Sequence, residues 1–161
     1  MGTFRSNLRQ ITHTKRYSML WVRDQDGKWT SHVFGTVGDS HTRSLALIDE
    51  ERRRLYMFAS SPTCSGGKVY YKQTNLDDIS FEEGRGTLFM QGPKGTNVGD
   101  ATSTKQNLDE VAGLLVVASD KYRGYYYNLI DPSNQQKLFP HGARIRTDTQ
   151  PSAAQEPRRE R

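Results

Sequence analysis

Two carboxylates stand at matched places along the chain: Asp39 follows Gly38 and Asp100 follows Gly99, and each pair leads into a hydroxyl-rich stretch. Glycoside hydrolysis uses two carboxyl groups facing one another across a sugar, about 5–9.5 Å apart. Asp39 and Asp100 are therefore weak catalytic candidates. An Asp after Gly also caps its own turn by accepting backbone N–H groups, and a position repeated in both copies fits that role. Beyond Asp39, His41 and Arg43 alternate at the start of an expected strand and share one face. Asp39 joins them if the strand extends that far. Such a row would hold a carboxylate or sugar hydroxyls through charge-assisted hydrogen bonds, although Arg43 and Asp39 could instead pair with each other. Lys105 holds the place in the second copy that Arg43 holds in the first. The expected ligand-binding set is Asp39, His41, Arg43 and Lys105.

Other reactive residue types are sparse. Cys64 is the one cysteine of the chain, so no disulfide within the chain and no cysteine-based zinc cluster is expected. Four histidines (His13, His32, His41 and His141) lack metal-ligand spacing, and neither a metal nor a cofactor is expected. Tyr70, Tyr71, Tyr122, Tyr125, Tyr126 and Tyr127 could stack on sugar rings, but aromatic residues in strands more often fill the space between sheets. Tyr70 and Tyr126 are the expected core residues, which leaves their alternating neighbours freer to meet solvent or ligand. Arg52, Arg53 and Arg54 read as a solvated turn.

The elements that must position these residues are short strands. SMLWV, KWTSHVF, RSLALI, RLYMFAS, GKVYYKQ, GTLFM, GLLVVAS and GYYYNLI are rich in β-branched and aromatic residues, and turn chemistry such as DQDGK, DEERR, QGPKGTNVGD and DKYR separates them. A helical pattern shows only weakly around Leu108 to Leu115, where Gly113 interrupts it. Almost no helix is expected. Gly38 to Ser60 and Gly99 to Ser119 both run from Gly-Asp through a base to an Asp-Glu turn and end in a strand closing on Ala-Ser. The period is about 60 residues. A repeat of three or four strands at that period reads as one propeller blade. The expected fold is all-β: a partial β-propeller of about two to two and a half blades of short antiparallel strands, with a half blade at 18–36, a full one at 38–90 and a nearly full one at 99–131. A closed propeller takes about 4–8 blades, so this chain is not expected to close one alone.

At GDSHTRSLALIDEERRRLYMFAS, GGKVYYKQTNLDDISFEEGRGTLF, DATSTKQN and GLLVVASD the sequence resembles bacterial propeller proteins of the BNR-repeat, sialidase-like class, with the likeness covering their C-terminal blades. That resemblance implies a larger parent, usually exported. The Asp-box S-x-D-x-G-x-T-W of true sialidases is matched in Asp24-Gln25-Asp26-Gly27-Lys28-Trp29 only at its Asp, Gly and Trp, and less well at Asp120 to Gly124. Both read as structural hairpin turns.

Composition places the charge at the ends. The chain carries a net +5, yet residues 1–17 hold four bases and no acid and residues 144–161 hold five arginines against three acids, leaving 18–143 close to neutral. A basic N-terminal segment (1–17), a partial propeller (18–143) and a disordered charged tail (144–161) are the expected divisions. Nucleic acid is not an expected partner, because the basicity lies outside the expected fold. No run of ~18 apolar residues spans a membrane and no apolar core of a signal peptide opens the chain. The expected function is carbohydrate or anionic small-ligand binding without activity of its own, and the alternative is a glycoside hydrolase of the sialidase or arabinanase type. Bare sheet faces at each end imply further blades or self-association.

Overall fold

A computed structural model describes residues 17–39, 41–61, 67–103, 113–120 and 124–145. The described chain is all-β, with eleven strands in three antiparallel sheets and no α-helix. β1 (Tyr17–Arg23) and β2 (Trp29–Thr36) form a hairpin. A 3-10 turn at Val37–Asp39 leads to β3 (Thr42–Asp49), β4 (Arg54–Ser61), β5 (Lys68–Asn75) and β6 (Thr87–Met90), which form the central sheet in sequence order. The third sheet holds β7 (Val98–Thr102), β8 (Leu114–Asp120), β9 (Tyr125–Asp131) and β10 (Gln136–Lys137), with β11 (Ala143–Ile145) also paired to β9. All eight strands expected from aromatic and β-branched content are present. β7, β10 and β11 are not legible that way, because VGDAT, QK and ARI lack a run of such residues.

Tyr17 belongs to β1, and Arg144 and Ile145 pair with Tyr126 and Tyr125, so folded structure reaches into both segments expected to lie outside it. The third sheet likewise extends past residue 131, to Ile145.

Turns recur with one chemistry. Asp49, Asn75, Asp120 and Asp131 each end a strand, and each side chain accepts a backbone N–H of the following turn, from Arg52 (3.0 Å), Asp77 (2.9 Å), Gly124 (2.8 Å) and Ser133 (2.9 Å). Asp24, just past β1, accepts from Lys28 N at 2.8 Å and donates its own N–H to Lys28 O at 3.0 Å. Asp120 and Gly124 repeat that reciprocal pair. Each Asp-box-like segment is thus bridged between its Asp and the residue four places on, as a short carboxylate at such a position favours.

The sheets stack with the central one in the middle. Tyr56 and Phe58 of β4 face the third sheet and pack with Val69, Phe89, Val98, Leu114, Val116, Ala118, Tyr126 and Ile130. Leu55, Met57 and Ala59 face the other way and pack with Phe34 of β2. Every residue of β4 after Arg54 is consequently buried.

Strand pairing reveals how the repeat is built. Thr42 pairs with Ser60 and Leu45 with Phe58; Gly99 pairs with Ser119 and Thr102 with Val117. Each copy therefore carries a bulge opposite the alanine, at Ala59 and Ala118, and the first bulged residue has positive φ in both, Arg43 at 48° and Asp100 at 53°. The structural partner of Gly99-Asp100 is Thr42-Arg43. Sequence likeness paired it with Gly38-Asp39, four residues earlier, because Gly-Asp marks turn chemistry in both places while the connection into β3 carries an additional turn.

A second repetition links neighbouring sheets. Tyr70 opposite Ala59 and Tyr126 opposite Ala118 fix the correspondence of β5 with β9, which makes Lys72 the counterpart of Asn128. Lys72 Nζ donates to Phe34 O of the preceding sheet (2.7 Å) and to Glu82 O (2.6 Å). Asn128 Nδ2 donates to Phe89 O of the preceding sheet (2.8 Å) and to Phe139 O (2.9 Å). Phe34 and Phe89 are themselves equivalent, since Ser18–Gly35 and Met19–Val33 bracket one as Val69–Met90 and Tyr70–Leu88 bracket the other. The β1–β2 hairpin thereby corresponds to β5–β6. Gly86 and Gly142 match as well: φ is 87° and 80°, and a Cβ on either would run into the carbonyl oxygen of an equivalent tyrosine, Tyr71 or Tyr127.

Candidate functional site

Between the hairpin and the central sheet lies a cavity of about 640 Å³ lined by Tyr17, Val33, Phe34, Gly35, Thr36, Gly38, Asp39, Lys72, Phe81, Glu82 and Glu83. Aromatic rings and charged groups meet there. Phe81 sets its edge on the Phe34 ring, centroids 5.5 Å apart.

Asp39 is placed by the 3-10 turn. Its Oδ2 accepts from Thr36 N (2.7 Å) and Thr36 Oγ1 (3.0 Å), and its carbonyl oxygen accepts from Ser61 Oγ. Burial works against its ionisation, but the two Thr36 hydrogen bonds, helped by the positive field of Lys72 and by that of His41 once its ring is protonated, outweigh that cost and hold the carboxyl below its usual range. Asp39 is an anion at neutral pH.

Lys72 approaches from β5. Burial lowers its pKa, while Asp39, Glu82 and Glu83 act in the opposite direction. Its ammonium has three N–H donors; two go to Phe34 O and Glu82 O, and the group lies 5.4 Å from the Phe34 ring centroid. Among the described residues, one donor is left for the cavity.

His41 is buried beneath the cavity wall, stacked on Phe34 with centroids 4.7 Å apart. Its Nε2 lies 3.0 Å from Arg85 O. A carbonyl only accepts, so Nε2 carries the proton and Nδ1 is bare. Among the described residues Nδ1 has no hydrogen-bond partner. Gly35 makes room for the ring, since a Cβ at that position would overlap Nδ1. Burial first, then the charges of Lys72 and Arg85, keep the imidazole neutral against the opposing pull of the Arg85 hydrogen bond and Asp39.

The expected row of Asp39, His41 and Arg43 does not form. Asp39 sits in the 3-10 turn and His41 points into the packed interior, whereas the positive φ of the bulge turns Arg43 outward to pair with Asp100. Arg43 therefore does not pair with Asp39. The pair it does make is exposed on both sides and adds little stability. Asp39 and Asp100 do not share a site, because Asp100 is outside the cavity lining and engaged by Arg43. Lys105, Cys64, Tyr122 and His13 lie outside the described residues. No group of three or more His, Cys, Asp or Glu able to hold a metal occurs among the described residues.

The tyrosines divide differently from simple alternation. Tyr126 is buried, but Tyr71, expected to be free, packs on Phe58 (5.7 Å) and Phe89 (5.6 Å) between the central and third sheets. Tyr70, expected in the core, is only half-buried like Tyr71, because a sheet packed on both faces draws both alternating sets into partial contact. Of the arginine run, Arg53 forks onto both carboxylate oxygens of Asp77 across the turn, and Arg52 reaches Asp49 and Glu51.

No known protein family, curated protein or solved structure matches this chain. The sialidase-like resemblance thus stands on the motifs in the sequence alone.

Lys72, Phe81, Glu82, Glu83 and Tyr17 were not singled out by residue type or motif. One signal did exist for Lys72: a lysine two places beyond an expected core tyrosine is a charge at an inward position of a strand.

Proposed function

We propose that the chain is part of a sialidase-like β-propeller, about two to two and a half blades, and that it binds a carbohydrate or a related hydroxyl-rich small ligand in the cavity beside Asp39. Support for the propeller comes from the twice-repeated donor that reaches from the third strand of one sheet to a phenylalanine carbonyl of the sheet before it. The observation that carries the binding role is the cavity itself. It brings an ionised carboxylate and an ammonium with a spare N–H together with the rings of Tyr17 and Phe81. Hydroxyls bond to the charged groups, and the apolar face of a sugar covers the rings.

Binding fits these residues better than hydrolysis. A glycosidase needs one carboxyl whose pKa is raised so that it acts as an acid, and Asp39 is held in the opposite direction. Titration of the chain with neutral and acidic oligosaccharides, followed by calorimetry and amide NMR shifts, tests the reading. Saturable shifts at Thr36, Asp39 and Phe81 are expected, with affinity falling about tenfold or more in Asp39→Asn, as for the loss of a charge-assisted bond. No saturable response to any sugar would overturn it, and turnover of aryl glycosides that vanishes in Asp39→Asn would replace it with the hydrolase reading.

A further inference from the structure

The two outer faces of the stack differ in kind, and each matches one half of an interface the chain already makes within itself. On the hairpin, Met19, Trp21 and Trp29 are 43–60% exposed. Trp21 pairs with Ser31 and Arg23 with Trp29, and Met19, Trp21 and Arg23 alternate along β1 with Leu20, which packs against the Phe34 cluster, so Met19, Trp21 and Trp29 share the face turned away from the central sheet. By strand correspondence Met19 stands where Tyr70 and Tyr126 stand, and Trp21 stands where Lys72 and Asn128 stand. Lys72 and Asn128 are the residues that reach into the preceding sheet.

At the opposite end, Leu115 and Val117 of β8 correspond to Tyr56 and Phe58 of β4, which are fully buried against the next sheet. Leu115 pairs with Leu129 and Val117 with Tyr127, and Tyr125, 47% exposed, continues the same face. Tyr127 corresponds to Tyr71, which packs on Phe58 and Phe89.

We infer that the Met19–Trp21 face of one copy docks on the Val117–Tyr127 face of a second copy, head to tail, in the arrangement that joins the hairpin to the central sheet and the central sheet to the third. The occupant is a second copy because this chain holds both halves of the contact. Pairing either face with itself would oppose two surfaces of the same half, for which the chain contains no precedent. Such a heterologous contact leaves one face of each kind open, so association continues into rings or open chains. Its basis is sheet packing alone, independent of any ligand in the cavity.

Sedimentation of the full chain, of Trp21→Asp, of Val117→Asp and of an equimolar mixture of the two variants tests the pairing. Mass of the unmodified chain should rise with concentration past that of a dimer. Each variant alone should remain a monomer, and the mixture should form a one-to-one dimer and nothing larger, since only one intact face of each kind remains. Tyr125→Asp, on an exposed residue, serves as the second variant of the β8–β9 face should Val117→Asp fail to melt cooperatively. A monomeric unmodified chain, self-association persisting in Trp21→Asp, or a mixture that stays monomeric would each overturn the inference.

Discussion

His41 shows how one side chain links local packing to pH. Folding buries its imidazole against Phe34 with a bare Nδ1 that has no hydrogen-bond partner among the described residues, in a setting that also holds Lys72, Arg85 and Asp39. The folded state binds the second imidazole proton poorly, whereas the unfolded chain takes it up near pH 6.5. Since the folded pKa is lowered, the unfolded state gains protons first on acidification, and stability falls as pH drops below about 6.5. Asp39, also lowered, adds a further loss only as pH falls below its ordinary 3.8. Denaturant midpoints followed from pH 7.5 to 5 should decline, and the slope should flatten in His41→Phe, which keeps the stacking surface. An unchanged slope in that variant would show that another group controls this range.

At the scale of the element, Asn128 is a polar tie between two sheets. Fully buried, it donates to Phe89 O and Phe139 O, and its Oδ1 accepts from Phe139 N at 3.1 Å. Asn128→Leu would strand those backbone groups away from water, at about 1–3 kcal/mol for each unsatisfied group. A total loss of about 3 kcal/mol or more is expected from chemical denaturation. The equivalent Lys72→Met should cost less, because removing a buried ammonium also removes its desolvation penalty. Measuring both variants decides between a true tie and a tolerated polar residue; equal or smaller loss at Asn128 would contradict the comparison.

For the whole molecule, the middle position of the central sheet decides where rigidity lies. β4 is buried on both faces, while β1 and β2 have one face open. Local opening draws on the least buried elements first. Amide exchange should therefore be slowest in β4, intermediate in β8 and fastest in the β1–β2 hairpin. Exchange in β1 as slow as in β4 would mean that the hairpin face is covered in solution, which head-to-tail docking at the concentration used would also produce; repeating the measurement with Trp21→Asp separates the two.

The all-β class and eight of the eleven strands among the described residues were legible in the sequence, because aromatic and β-branched runs such as RLYMFAS and GYYYNLI, bounded by Asp- and Gly-rich turns, encode extended backbone locally. The turns were legible for the same reason: a carboxylate or amide at a strand end closes the next few residues whatever lies around it. Of the candidate site, Asp39 was found, but as one member of a row that does not exist. Strand alternation assumes an unbroken strand, and a bulge with positive φ at Arg43 breaks it. Only tertiary packing brought Asp39 beside Lys72, Phe81 and Glu83, and only ladder register showed that Arg43 answers to Asp100. Residue pairings across 30 or 60 positions depend on how whole sheets stack, and that stacking is fixed by the sum of many buried contacts that no local run of residues contains.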